Sequence, residues 1–66
     1  MQIKEQIFDI LRTNYSLREV ISDKIKSRPV NIERWGQRKS IPSWFEKDVI
    51  KVIKRKLNLT DKEIYQ

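Results

Sequence analysis

Three times in this 66-residue chain a Ser or Thr is followed three positions later by Glu. The sets are Ser16-Leu17-Arg18-Glu19, Ser43-Trp44-Phe45-Glu46 and Thr60-Asp61-Lys62-Glu63. In such a box the hydroxyl takes an orphan amide of the first helical turn, and the carboxylate reaches back to the cap's own N–H. Each box heads a stretch with apolar residues at helical spacing, so the chain is expected to be all-α.

The first helix is expected ahead of these boxes. Ile3, Ile7, Ile10 and Leu11 recur at i, i+4, i+7 and i+8, Phe8 widens the stripe, and Thr13-Asn14 ends it. The second starts at Ser16 and presents Leu17, Val20, Ile21 and Ile25, with Tyr15 placed to staple against Val20 or Ile21. It must stop before Pro29, which removes an amide and disfavours helix at the residue before it. Pro29 suits the first turn of a third helix reaching to Gly36, with Ile32 and Trp35 inward. Residues 36–42 read as a loop. A fourth helix over Ser43–Leu57 carries Phe45, Val49, Val52, Ile53 and Leu57 on one face and Lys47, Lys51, Lys54 and Arg55 on the other. The last box starts a final turn from which Ile64 and Tyr65 pack back. The expected fold is a compact bundle of four to five short helices in a single domain over 1–66.

Composition narrows what such a bundle can do. The chain has neither cysteine nor histidine, which removes disulfides and the usual zinc sets, and no cofactor is expected. With no glycine-rich phosphate loop or paired-carboxylate pocket, no catalytic role is expected. No apolar run approaches the length of a membrane span, and the cytoplasm is the expected compartment. Net charge is +6, unevenly spread. Residues 1–25 balance four cations with four anions, whereas residues 26–39 set five cations against one anion. A local basic patch of this kind favours a polyanion.

The patch lies where two helices meet. Lys26-Ser27-Arg28 joins the second and third helices, and Ile21 and Ile25 must meet Ile32 and Trp35 across it. Ser22 is small enough to let the helices approach. This is helix-turn-helix spacing, spanning about 16–36. The sequence resembles the phage repressor and Cro-type helix-turn-helix domains over roughly residues 16–57. Ile21-Ser22, Ile25, Ile32 and Trp35 carry the resemblance, with the continuation "WGQRKSIP" over residues 35–42. In that family the recognition helix often ends in tryptophan, followed by a basic loop and an Ile-Pro entry to the next helix. The chain departs from the pattern at Lys26, where glycine is usual, at Ser27, usually apolar, and at Arg28, usually a small N-cap.

The resemblance implies a transcriptional regulator, repressor-like and of phage or mobile-element type, that reads duplex DNA with helix 29–36 in the major groove. It also implies a homodimer on a two-fold operator. Outward positions Val30, Glu33, Arg34 and Gln37, with Arg28 and Asn31 at the helix start, are the expected base contacts. Lys26, Arg38, Lys39 and Ser40 are the expected phosphate contacts. No small-molecule ligand and no membrane partner is expected. Two other uses of the fold stay open. One is a protein-interaction module, an antirepressor or adaptor working through Trp44 and the fourth helix. The other is an excisionase-like recombination accessory factor.

Overall fold

Among residues 2–66, which the computed structural model describes, five helices follow one another: α1 (Glu5–Thr13), α2 (Tyr15–Ile25), α3 (Pro29–Arg38), α4 (Ser43–Leu57) and α5 (Asp61–Ile64). The all-α expectation is met, with five helices and no strand among the described residues. Ile3 is not helical. It lies ahead of α1 in an isolated antiparallel bridge to Tyr65. Lys4 N–H donates to the Ile64 carbonyl (2.7 Å) and Gln66 N–H to the Gln2 carbonyl (2.8 Å). The two ends of the chain are thereby tied, and Ile3 still reaches the core.

Of the three boxes, only Thr60–Glu63 closes. The Glu63 carboxylate accepts from the Thr60 N–H (3.0 Å) and hydroxyl (3.1 Å). At α2 the cap is Asn14 rather than Ser16: its side-chain oxygen accepts from Leu17 N–H (3.0 Å) while its own N–H donates to Ile10 O (2.8 Å). Asparagine is among the best N-caps, and one residue here ends α1 and starts α2. Tyr15 is accordingly on the helix and 62% exposed, so it staples nothing. Its ring instead carries the Arg18 guanidinium, 5.4 Å from the centroid. Arg18 also caps the end of α1 through the Leu11 and Arg12 carbonyls. At α4, Pro42 takes the cap position and its carbonyl accepts from Phe45 N–H (2.9 Å) and Glu46 N–H (3.0 Å). That leaves Ser43 as the first helical residue.

The core gathers Ile7, Phe8 and Leu11 of α1, Leu17 and Ile21 of α2, Ile32 and Trp35 of α3, Val49, Ile50, Val52 and Ile53 of α4, and Ile64. Phe45, Leu57 and Ile25 pack against it half-buried. Ile50 falls outside the expected stripe of α4. It is buried because the last segment folds back there: Lys54 pairs with Asp61, and Tyr65 lines the same hollow as Ile50.

Helix α3 runs two residues beyond Gly36, to Arg38, and the loop shrinks to residues 39–42. The glycine does not end the helix. It is buried where α3 crosses α1, and a Cβ there would lie 2.7 Å from the Phe8 carbonyl oxygen and 3.0 Å from the Arg12 nitrogen. Lys39 ends the helix instead, in the left-handed conformation (φ 56°), with Ser40 N–H donating to the Trp35 carbonyl (3.1 Å). Buried Ile41 then pins the short loop to the core.

Candidate nucleic-acid interface

The α2–turn–α3 unit is held from below by Ile21, Ile32 and Trp35, all buried, with Ile25 half-buried at its edge. Trp35 stacks obliquely on Phe45, ring centroids 5.5 Å apart, which couples α3 to the start of α4. Two devices shape the turn. Lys26 takes the left-handed conformation (φ 60°, ψ 39°) at the position where glycine is usual. Ser22 then does more than leave room: its hydroxyl donates to the Ser27 carbonyl, and Ser27 N–H donates to the Ser22 carbonyl (3.2 Å). Sequence spacing gave the size of Ser22 but not this latch, which depends on a hydroxyl and a backbone carbonyl meeting across the turn.

An L-residue in the left-handed region costs about 1–2 kcal/mol, and glycine returns roughly 0.5–1 of that through its freer unfolded chain. Lys26→Gly is therefore expected to raise Tm by a few degrees in thermal unfolding. The same variant should lose about 0.9 from the salt slope of duplex binding if Lys26 neutralises a phosphate.

The candidate base-contacting residues are not equivalent. Val30, Arg34 and Gln37 stand exposed on the side of α3 opposite Ile32, Trp35 and Gly36. Arg28 is exposed just ahead of the helix. Asn31 and Glu33 lie on its flanks and are half-buried. Asn31 donates to the Ser27 hydroxyl (3.1 Å), so its amide braces the turn. Arg38, expected in the loop, sits on α3 one turn beyond Arg34 and is exposed with it. The helix therefore presents a three-residue outward ridge flanked by two cations.

Among the candidate phosphate contacts, Lys26, Lys39 and Ser40 are all exposed. Lys39 is already engaged: its ammonium hydrogen-bonds Glu5 at the start of α1. That bond, and then the ammonium charge itself, hold the Glu5 carboxyl below its ordinary value. A depressed carboxyl favours folding at neutral pH, and this contribution is lost as pH falls through the folded value. In an NMR pH titration Glu5 should titrate below an ordinary glutamate, and Lys39→Ala should return it to the ordinary value. An unchanged midpoint would show that the pair does not form in solution.

The surface is asymmetric. On the other side of the turn, Glu19, Asp23 and Ser22 of α2 line a hollow with Pro29, so the approach over α2 is acidic.

These elements define the class: a small all-α bundle of five helices, in which α2 and α3 are joined by a tight turn and α3 is exposed and cationic along one face. Comparison with models of protein families, with curated proteins and with solved structures finds no match to this chain. No helix of the described residues is long and apolar enough to cross a membrane.

Proposed function

We propose that this chain is a sequence-specific duplex-DNA-binding regulator of the repressor or Cro type, using α3 as the reading helix. The observation that carries the reading is the division of α3 into two faces. Ile32, Trp35 and Gly36 anchor one face to the bundle, while Val30, Arg34 and Gln37 stand free on the other. Side chains of these types match base edges: arginine with guanine, glutamine with adenine, and a valine methyl with the thymine methyl. Arg28 and Arg38 extend the ridge at its two ends, Lys26 and Ser40 are exposed for phosphates, and Lys39 reaches a phosphate by exchanging it for Glu5. Asn31 contributes to base contact only if its bond to Ser27 opens, and Glu33 only from the flank, where it is half-buried. A single short helix gives limited specificity, so the proposal includes a homodimer on a two-fold site. A phage or mobile-element origin and repression as the outcome follow from the resemblance, and the cytoplasm is the compartment expected from the sequence; all three belong to the same proposal.

The test is selection of a preferred duplex from a random pool, followed by methylation interference on it. Protection should centre on major-groove positions, and Arg34→Ala should relax preference at one of them. Failure to enrich any sequence, or a selected duplex on which major-groove methylation does not interfere, would contradict the reading and favour a recombination accessory role.

A further inference from the structure

The solvent side of α4 takes no part in that reading. It runs from Trp44 through Lys47 and Lys51 to Arg55, all exposed. Spacings of three, four and four residues keep these side chains on one face, in a row about 16 Å long. Asp48, four residues from Trp44 and three from Lys51, is an exposed acid on the same face. Lys54, beside the row, is paired with Asp61 and is left out of the cationic count.

Trp44 is 75% exposed. It is nevertheless backed by other rings, its centroid 6.2 Å from Phe45, which in turn lies 5.5 Å from Trp35 of the core. A large indole held at the surface on an aromatic support presents apolar area without the freedom of a lone side chain. Along the other edge of the row, a shallow hollow of about 250 Å³ is lined by Lys47, Ile50, Lys51, Lys54, Asp61 and Tyr65. Its floor is apolar, and its rim carries Lys47, Lys51 and the Lys54–Asp61 pair.

Three occupants can be compared. A second copy meeting this face about a two-fold axis would set Lys47, Lys51 and Arg55 against the same cations, which is repulsive. Duplex DNA would satisfy the cations but offers no open base face to Trp44. A protein partner would need a broad apolar core to its interface, and here there is one ring and one small hollow. Single-stranded nucleic acid offers both chemistries: phosphates at short intervals and unpaired bases with open π-faces.

We infer that the α4 face binds single-stranded nucleic acid, with Trp44 as the stacking platform, Lys47, Lys51 and Arg55 on successive phosphates, and the hollow beside Tyr65 receiving a neighbouring base. This rests on α4 alone and not on duplex recognition by α3.

The test is fluorescence anisotropy of fluorescein-labelled dT12 against the full chain at several salt concentrations. Single strands contribute about −0.7 per neutralised phosphate to the slope of log K against log salt, so three cations give about −2. Trp44→Ala should weaken binding at least about five-fold, the lower end for one stacked base. Lys47→Gln with Lys51→Gln should flatten the slope to about −0.7. Arg34→Ala with Gln37→Ala should leave dT12 binding unchanged while removing duplex preference, so either site can fail alone. All these positions are exposed, and circular dichroism with Tm verifies that each variant is folded. Wild-type affinity in Trp44→Ala would overturn the inference, as would loss of dT12 binding only in the α3 variant. Displacement of dT12 by polyglutamate as effectively as by unlabelled dT12 would also overturn it, in favour of an acidic protein partner.

Discussion

Gly36→Ala is expected to lower Tm by about 5–15 °C. Helix propensity alone argues the opposite sign, since alanine is better than glycine inside a helix by about 1 kcal/mol. Packing decides the outcome. The added methyl would meet the Phe8 carbonyl oxygen at 2.7 Å and the Arg12 nitrogen at 3.0 Å, both backbone atoms of α1, with the Arg12 Cβ at 3.3 Å. No rotamer change relieves a clash with backbone, so α3 must move away from α1. Overpacking costs about 1–3 kcal/mol, and a clash with backbone that no side chain can relieve belongs to the upper part, about 2–3, so the net loss is roughly 1–2 after the propensity gain; each kcal/mol shifts Tm by about 4–8 °C in a domain of this size. Such a domain has only a few kcal/mol to lose, about 0.05–0.15 per residue. Gln37→Ala, one residue on and exposed, is the control and should stay within about 0.5 kcal/mol of wild type. Differential scanning calorimetry reads both. A Tm for Gly36→Ala at or above wild type would mean that α1 and α3 do not cross at Gly36 in solution.

Arg34→Ala combined with Gln37→Ala is expected to reduce discrimination between a selected duplex and random DNA by about thirty-fold or more. Each bidentate side chain–base pair contributes about 1–3 kcal/mol of discrimination, and two roughly additive losses exceed any plausible phosphate effect. Both side chains are exposed and touch none of the core, so the double variant should melt like the wild type. Arg38→Ala gives the contrasting signature: weaker binding to all duplexes by a similar factor, with the salt slope shallower by about 0.9. The two kinds of residue are thus separated by what they change, specificity in one case and overall affinity in the other. Equal weakening on every duplex in the Arg34/Gln37 variant would place those residues on phosphates and remove α3 as the reader of sequence.

Much of the fold was legible in the sequence because apolar spacing is a local signal. The stripes on α1 and α4, the start of α3 at Pro29, and the inward phase of Ile32 and Trp35 all follow from it. Caps were less legible. Ser16-x-x-Glu19 has the right spacing, but Asn14, two residues earlier, caps Leu17 N–H and starts the helix at Tyr15, so Ser16 already lies inside it. Gly36 read as a stop because glycine often follows a helix, whereas here a non-local contact with α1 requires it inside one. Ile3 matched the helical period of α1 but is held extended by Tyr65, from the far end of the chain. Within the candidate site, the exposure of Val30, Arg34 and Gln37 was visible from phase, but Glu33, read as outward with them, is half-buried on the flank. The Asn31–Ser27 bond, the Glu5–Lys39 pair and the Ser22 latch were not, because each joins groups whose proximity only the folded backbone sets.

The central claim is that the outward face of α3 reads duplex sequence. Its most direct test is fluorescence anisotropy of a selection-enriched duplex and a random pool, each titrated across several salt concentrations. The account predicts a slope of log K against log salt of about −4 or steeper and a preference of at least about a thousand-fold for the enriched duplex. Salt-sensitive binding without that preference, or no duplex binding at low salt, would contradict it.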